Sequence, residues 1–571
     1  MVHQINRSFF LFTAVILFGC TENNVPDVAP ALSEHRSTTA MINSAAVAIP
    51  DKYGAQVSED ILRAGGNAVD AAIATGFSLA VTFIDAGNIG GGGFMLIHID
   101  GESVFLDYRE TAPSAGYKEM YLDENGDVIE NSTLIGGQAA GVPGTVAGFW
   151  KAHQRYGSLP WEDLVAPAIK LAEEGFMPAD VLVSDIHGMH AWFGETTNFN
   201  DYFARIRAGE LFKQPELAET LKRIAANGAD EFYSGETAKM LVAQMGRSNG
   251  LITAEDLENY EAIWRAPLRA TWRDYEIVSA PPPSSGGFAI IQLLKMKDNL
   301  EHYFEGVEHN SPQYIHLVAE MEKRVFADRA EYLGDPDFFE VDMDALISDE
   351  YIARRASEVS DSDISTLDSV APGLESPNTT HYSIVDQWGN AVSNTYTINW
   401  GYGSGVVVEG AGFLLNNEMD DFSAKPGEPN VYGVVGNAAN EIQPGKRMLS
   451  SMSPTILLRN NEVEMVLGTP GGSTIFTSVF QTIVNIIDFG QSPLEAVGAT
   501  RFHHQLLPPD LITHSVGNPL PKETISELGD RGYRTEPHAW EFGDVQVILR
   551  DGESWIPASD PRDRGDSRVI N

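Results

Sequence analysis

The chain has 571 residues, 43% of them hydrophobic, which is enough for a globular protein with a sizeable core. Its 80 acidic residues outnumber the 38 basic ones, and the formal net charge of −42 disfavours nucleic acid as a partner. Cys20 is the only cysteine, which excludes disulfides within the chain and cysteine-based metal sites.

The N-terminus has the pattern of an export signal. A positively charged start precedes an apolar stretch at residues 9–18, which is shorter than the roughly 20 residues that a membrane-spanning helix needs. The following Gly19-Cys20 completes a sequence that resembles the bacterial lipoprotein box, in which the cysteine is lipidated. We therefore expect a lipoprotein-type signal at residues 1–19 and a flexible tether at residues 20–44.

This pattern predicts a periplasmic protein that is anchored to the membrane through a lipidated Cys20. Phe18 is bulkier than the residue that the lipoprotein box usually carries. Ordinary secretion as a soluble periplasmic protein is therefore the alternative.

The first half of the chain indicates alternating helices and strands. Residues 58–81 are predicted to form one buried helix, with Ser58 as its cap, because apolar residues recur at helical spacing. Four glycines at 90–93 are expected to form a turn that enters a strand, and residues 103–108 should pair with that strand.

Helical signals dominate residues 146–300, apart from a Pro- and Gly-rich segment at 281–287 that is expected to line a surface or a cleft. Strand patterns return later in the chain, at residues 382–385, 391–398, 455–458 and 463–467. Strands, then helices, then strands predict a layered α-β-β-α body.

Several cofactor and metal motifs are missing from the sequence. The glycines at 90–93 lack the GxGxxG spacing, and residues 468–474 lack the P-loop lysine. The histidine pairs at 187/190 and 503/504 have no third ligand nearby, and no serine occupies a GxSxG elbow. We expect neither a cofactor nor a metal.

Thr379 is the residue that indicates a type of catalysis, namely nucleophilic catalysis. It follows Asn378 at the head of a strand pattern. A threonine hydroxyl is a poor nucleophile unless a base lies next to it, and an N-terminal threonine has its own α-amine. Cleavage between Asn378 and Thr379 would therefore make one residue both nucleophile and base.

The sequence around Thr379 resembles the γ-glutamyltransferases (γ-glutamyltranspeptidases), and the resemblance covers nearly everything after residue 45. The segments that carry it in the second half are residues 378–386, 395–399, 414–422, 446–455, 468–473 and 501–505. Two segments upstream continue it, at residues 106–113 and 141–144.

The resemblance implies an α+β fold, the four-layer αββα sandwich of the N-terminal-nucleophile hydrolases. It also implies that the chain cuts itself into a large chain, residues 45–378, and a small catalytic chain, residues 379–571, which stay together as a heterodimer. Thr379 would then form a γ-glutamyl ester from glutathione or another γ-glutamyl compound. Water, an amino acid or a peptide would resolve that ester, as in two-step acyl transfer.

The resemblance also assigns the residues that assist Thr379. Thr397 matches the threonine that orients the nucleophile. Backbone N–H groups of Gly471 and Gly472 would bind the oxyanion, where glycine permits close approach. Tyr432 lies at the tip of a segment, residues 426–438, that resembles the family's lid over the glutamyl pocket.

The γ-glutamyl end of such a substrate is a zwitterion, and the matching residues suit both of its charges. Arg109 has the planar fork that binds a carboxylate, and Ser450 and Ser451 match its hydroxyl partners. Three residues match the acceptors of the α-ammonium: Asn399, Glu418 and Asp421.

Two other functions fit parts of the sequence. A cephalosporin-acylase-like enzyme of the same fold would hydrolyse glutaryl amides, whose acyl chain lacks the ammonium that Glu418 and Asp421 are expected to bind. A lipid-anchored protein that binds peptides without turnover would remain one uncut chain.

Overall fold

The computed structural model describes residues 44–366, 379–425, 438–505, 507–541 and 543–571. Several predicted features lie outside these ranges: the export signal with Cys20, the tether up to residue 43, the cleavage residue Asn378, and residues 426–437 of the predicted lid, which include Tyr432. No helix within the described ranges is both long enough and apolar enough to cross a membrane.

The described residues form two large antiparallel sheets and one small mixed sheet. The order in the seven-stranded sheet is β16-β1-β7-β8-β2-β3-β4, that of the six-stranded sheet is β15-β14-β10-β9-β6-β5, and β11-β12-β13 form the third. The strands are β1 (Ala45–Ile49), β2 (Gly92–Ile99), β3 (Glu102–Tyr108), β4 (Ile263–Arg265), β5 (Leu268–Trp272), β6 (Tyr275–Ser279), β7 (Thr380–Val385), β8 (Ala391–Thr397), β9 (Thr455–Arg459), β10 (Glu462–Gly468), β11 (Phe502–His503), β12 (Leu511–His514), β13 (Arg534–Pro537), β14 (Gln546–Asp551), β15 (Ser554–Ser559) and β16 (Asp566–Ile570).

Helices cover the outer faces of the two large sheets. They are α1 (Lys52–Arg63), α2 (Ala68–Thr82), α3 (Thr145–Tyr156), α4 (Trp161–Glu174), α5 (Asp180–Phe193), α6 (Phe199–Phe203), α7 (Pro215–Asn227), α8 (Asp230–Tyr233), α9 (Glu236–Ser248), α10 (Ala254–Glu258), α11 (Gly286–Asn299), α12 (Glu301–Phe304), α13 (Pro312–Tyr332), α14 (Met343–Leu346), α15 (Asp349–Ser357), α16 (Thr474–Ile487), α17 (Pro493–Gly498) and α18 (Lys522–Arg531).

Successive side chains along each strand point to opposite faces of its sheet, and this alternation explains the layered packing. In β1, Ala46 packs into the apolar cluster between the two large sheets, and Val47 packs into the cluster beneath the helices on the other face. In β9, Ile456 points between the sheets, whereas Leu457 packs against helices of the second outer layer. Since successive strand residues face opposite sides, both sheets are buried on both faces. The predicted four-layer α-β-β-α architecture is confirmed.

The single helix predicted at residues 58–81 is wrong, because the chain forms two helices there. The first, α1, ends before Gly65, which has a positive φ of 93° that favours glycine. Asn67 then caps α2 through a capping box with Asp70. The predicted cap, Ser58, lies inside α1, where its hydroxyl contacts that of Thr75.

The prediction of mainly helical structure over residues 146–300 missed three strands, β4, β5 and β6. Their side-chain patterns are short. Strand β6 pairs with β9, which lies about 180 residues further along the chain, so this pairing leaves no local signal in the sequence. Strands β7 and β8 agree closely with the predicted runs 382–385 and 391–398.

Candidate active site

Thr379 lies directly before β7, an inner strand of the seven-stranded sheet between β1 and β8. The register pairs Thr380 with Tyr396 in the antiparallel sense, so Thr379 lies opposite Thr397 at the end of β8. Both threonines line one pocket. The sheet therefore places the predicted nucleophile beside the threonine predicted to orient it.

The structure brings nearly all of the predicted and described site residues to this pocket, from segments more than 300 positions apart in the chain. Gly471 does not line the pocket itself but directly precedes Gly472, which does. The lining consists of Arg109, Thr379, Thr397, Asn399, Glu418, Asp421, Ser450, Ser451 and Gly472, together with Met452 and Ile475.

A tight turn after β8 holds Thr397 and Asn399. The Thr397 hydroxyl accepts the backbone N–H of Asn399 over 2.8 Å, and Asn88 Nδ2 donates to the Thr397 carbonyl over 2.9 Å. Asn399 has a φ of 71°, a left-handed conformation that asparagine tolerates better than most residues. Its Nδ2 donates to the carbonyl of Asn417 over 3.1 Å, which joins this turn to the segment that carries Glu418.

Arg109 follows β3 and is fully buried. Its Nη1 donates to Glu418 Oε1, and its Nη2 donates to Asp421 Oδ2 over 2.5 Å. The Tyr260 hydroxyl donates to the Arg109 carbonyl over 2.9 Å and holds the backbone at this point. Burial lowers the pKa of Arg109, but the charges of Glu418, Asp421 and Glu110 outweigh it and raise that pKa above its usual range.

Glu418 and Asp421 share one 3₁₀ turn, Glu418–Asp421, which Asn416 fixes in place. Asn416 Oδ1 accepts the N–H of Glu418 over 3.0 Å and that of Gly141 over 2.8 Å. Its Nδ2 donates to the carbonyl of Gly90 over 2.9 Å, which is where the predicted glycine turn meets the site. Asn416 lies within the 414–422 segment of the family resemblance, but the sequence alone assigns it no role.

Glu110 adds a third buried carboxyl group around Arg109, with 3.6 Å between Oε2 and Nη1. Burial raises the pKa of Glu110 to about 7 and also raises the pKa values of Glu418 and Asp421. All three carboxyl groups are therefore harder to ionise than exposed ones. Sequence reasoning missed Glu110, because nothing in a sequence shows which of two adjacent side chains, at 109 and 110, turns toward a site.

The Pro- and Gly-rich segment at 281–287 is buried and supports the two serines of the pocket without lining that pocket itself. The N–H of Ser450 donates to the carbonyl of Pro283 over 2.9 Å. Ser284 Oγ donates to the carbonyl of Met452 over 2.6 Å. These bonds fix the backbone on both sides of Ser451.

Gly471 and Gly472 form the approach to helix α16. Their φ values of 133° and 57° favour glycine, and a Cβ atom on Gly471 would collide with the Thr474 hydroxyl. Neither N–H has a hydrogen-bond acceptor within the described parts of the chain. Backbone N–H groups at a helix N-terminus attract negative charge, so this turn is suited to an oxyanion.

Among the described residues, no group of three or more His, Asp or Glu side chains is placed to hold a metal ion. His503, one of the paired histidines, contacts Thr477 Oγ1 over 3.1 Å and Gln505 Oε1 over 2.9 Å. Burial lowers its pKa to about 3, which keeps it neutral. Its position is that of a buried structural histidine.

Comparisons with known proteins agree with this geometry. The sequence model of the gamma-glutamyltranspeptidase family matches residues 54–570. A glutathione hydrolase proenzyme of Pseudomonas aeruginosa is 57% identical over 544 residues, which cover 95% of this chain and 98% of the relative.

Two solved structures resemble the fold. A gamma-glutamyltranspeptidase from Pseudomonas nitroreducens, complexed with L-DON, matches at 56% identity and a TM-score of 0.56, over 57% of this chain and 96% of the solved chain. A cephalosporin acylase from Bacillus halodurans matches at 26% identity and a TM-score of 0.78, over 97% and 99%.

Proposed function

The chain belongs to the gamma-glutamyltranspeptidase family, and from that premise we propose that it is a self-processing γ-glutamyltransferase that also hydrolyses glutathione. The observation that carries the proposal is the pocket itself. Thr379 shares it with a guanidinium, from Arg109, and with two carboxylates, from Glu418 and Asp421. This is the set of groups that a zwitterionic acyl donor and a threonine nucleophile require.

Self-processing precedes catalysis. The Thr379 hydroxyl attacks the carbonyl carbon of Asn378, and the amide bond between the two residues becomes an ester. Water then hydrolyses the ester, which restores the hydroxyl and leaves a free α-amine on Thr379. The products are the large chain that ends at Asn378 and the small chain, residues 379–571.

In turnover, the α-amine of Thr379 takes the proton of the hydroxyl as that hydroxyl attacks the γ-carbonyl of the donor. Backbone N–H groups of Gly471 and Gly472 stabilise the tetrahedral oxyanion, and one such donor typically contributes about 3 kcal/mol. The leaving amine takes the proton, and a γ-glutamyl ester remains on Thr379. Thr397 keeps the nucleophile oriented, and water or the amine of an acceptor then attacks the ester.

The α-carboxylate of the donor binds Arg109, Ser450 and Ser451, and the α-ammonium binds Asn399, Glu418 and Asp421. Because Arg109 is already paired with Glu418 and Asp421, the zwitterion exchanges these ion pairs for its own. The substrate carboxylate replaces Glu418 and Asp421 as the partner of the Arg109 guanidinium. The substrate ammonium replaces Arg109 as the partner of the two acids. The charge of the buried site then changes little on binding, which limits the desolvation cost.

Cleavage of a chromogenic γ-glutamyl anilide tests this function, with a glutaryl anilide as control and glycylglycine as added acceptor. We expect cleavage of the first compound and acceleration by the acceptor. Faster cleavage of the glutaryl compound would favour the acylase alternative, to which the Bacillus halodurans structure is relevant. A single uncut band on a denaturing gel, without turnover, would favour a peptide-binding protein.

Two further proposals rest on the sequence. Cys20 is lipidated after export and anchors the enzyme in the periplasm; labelled palmitate should enter the wild-type chain but not Cys20→Ser. The resemblance of residues 426–438 to the family's lid predicts that Tyr432→Ala weakens donor binding more than it slows the acylation step. An unlabelled wild-type chain, or an unchanged KM, would contradict the respective proposal.

A further inference from the structure

A second buried arginine, Arg329, lies behind the serine pair of the pocket, and the proposed mechanism gives it no part. It belongs to α13, and only 3% of its surface is exposed. Its Nε donates to Ser285 Oγ over 3.0 Å. Ser285 belongs to the 281–287 segment that supports Ser450 and Ser451, so a single side chain separates Arg329 from the expected carboxylate site.

The hydrogen bonds of Ser285 have a defined direction. A guanidinium can only donate, so Ser285 Oγ accepts from Arg329 and its own hydrogen must go elsewhere. The backbone N–H of Ser285 already donates to the carbonyl of Ser450 over 2.7 Å. Ser285 Oγ donates to the same Ser450 carbonyl over 2.9 Å and lies 3.3 Å from Ser451 Oγ.

Two hydrogen bonds from Ser285, one from its N–H and one from its hydroxyl, therefore hold the carbonyl that links Ser450 to Ser451. Arg329 sets the direction of the hydroxyl bond, because its donation to Ser285 Oγ leaves the Ser285 hydrogen to bond that carbonyl. The peptide between Ser450 and Ser451 is thereby fixed at the edge of the pocket that both serines line.

The charges around the pocket favour the same role. Burial lowers the pKa of Arg329 to about 9, so the group remains cationic at neutral pH. Burial raises the pKa of Asp421, and the charges of Arg109 and Arg329 oppose that rise. Glu110, Glu418 and Asp421 already place acidic groups around Arg109, and a substrate carboxylate adds a further negative charge.

We propose that Arg329 and Ser285 are positioning residues for donor recognition: they form a chain from Arg329 through Ser285 to the Ser450 carbonyl that holds the Ser450 and Ser451 hydroxyls in place for the α-carboxylate of the donor. The chain adds a buried positive charge on the carboxylate side of the site. This inference rests on the proposed function and extends it to residues that never touch the substrate.

The test compares wild type, Ser285→Ala, Arg329→Met and the double variant, each first checked for cleavage into two chains. The substrates are a γ-glutamyl anilide and a 4-aminobutyryl anilide, in which a hydrogen replaces the α-carboxylate. Arg324→Met is the matched control, since Arg324 is also buried on α13 but bonds Glu320 and Ser365 instead.

We expect each single variant to raise KM for the γ-glutamyl anilide about tenfold, the effect of losing one charge-assisted hydrogen bond, with little change in kcat. The double variant should be no worse than the worse single variant, because both changes break one chain. kcat/KM for the 4-aminobutyryl compound should stay near the wild-type value in every variant. Arg324→Met should leave KM unchanged.

The proposal is overturned if Ser285→Ala keeps the wild-type KM, which decides the matter even where Arg329→Met fails to fold. It is also overturned if both anilides lose activity by the same factor, if the two single effects simply add, or if Arg324→Met raises KM equally. A wild-type enzyme that leaves the γ-glutamyl anilide intact would instead overturn the proposed function, and this inference with it.

Discussion

Arg109 Nη2 donates to Asp421 Oδ2 over 2.5 Å inside the pocket that Thr379 lines. The guanidinium proposed to hold a substrate carboxylate and the carboxylate proposed to hold a substrate ammonium are therefore partners of each other. Arg109 is buried and only a tenth of the Asp421 side chain is exposed, and each of the two charges compensates the other. A zwitterion satisfies both at once, whereas a ligand with one charge would leave the other buried and unpaired.

Asp421→Asn should weaken the binding of donor substrates that carry the α-ammonium. We expect KM for a γ-glutamyl anilide to rise about 10- to 100-fold, since a hydrogen bond to a charged group is lost. A glutaryl anilide, which has no ammonium, should change much less. Steady-state kinetics of both substrates measure the effect, and Asp337→Asn, which alters an exposed partner of Arg265, is the control. Equal losses on the two substrates would argue against the assignment of Asp421.

Gly471→Ala should slow the chemical step. The new side chain would meet the Thr474 hydroxyl at a backbone φ of 133°, so the N–H groups of the turn would shift. Loss of one oxyanion donor typically reduces kcat about 10²- to 10³-fold, and self-cleavage should slow as well.

Gly490→Ala is the matched control for Gly471→Ala. Gly490 also has a positive φ, of 64°, but a Cβ there meets no atom within 4 Å and the residue lies outside the pocket. Its kcat should stay close to wild type. A Gly471→Ala enzyme with the kcat of Gly490→Ala would show that this turn does not bind the oxyanion.

Acid should destabilise the protein through His381. Burial lowers its pKa from 6.5 to about 3, and its ring bonds Thr395 Oγ1 over 2.8 Å. Between these pH values the unfolded chain binds a proton that the folded chain does not, so stability falls as pH decreases from 6.5 toward 3.

Urea midpoints measured from pH 7 to pH 4.5 test this effect in an uncut Thr379→Ala background. His381→Gln should show a shallower pH slope, by about one proton, because the other titrating groups are the same in both chains. Identical slopes would show that His381 does not contribute to the acid sensitivity.

The sequence predicted secondary structure well where the pattern of side chains was contained within one short stretch of the chain. Strands β7 and β8 alternate without interruption, and their register alone sets Thr379 opposite Thr397. The family resemblance then supplied the residues that meet in the pocket. Their roles remain predictions, although the structure brings them together.

Other features could not be predicted, because they depend on partners far along the chain. Strand β1 is rich in alanine, which favours helices, and it is a strand because β7 and β16 pair with it. Gly65 and Gly66 separate two helices that share one apolar pattern. Arg329 and Ser285 meet only after two separate segments have packed together.

The most direct test of the account is the intact mass of the small chain, before and after brief mixing of the enzyme with a γ-glutamyl donor. The account predicts a small chain that begins at Thr379 and gains one γ-glutamyl group, with the added mass on the N-terminal residue. Thr379→Ala should stay one uncut chain and gain nothing. An active enzyme made of one unbroken polypeptide, or an adduct on any other residue, would contradict it.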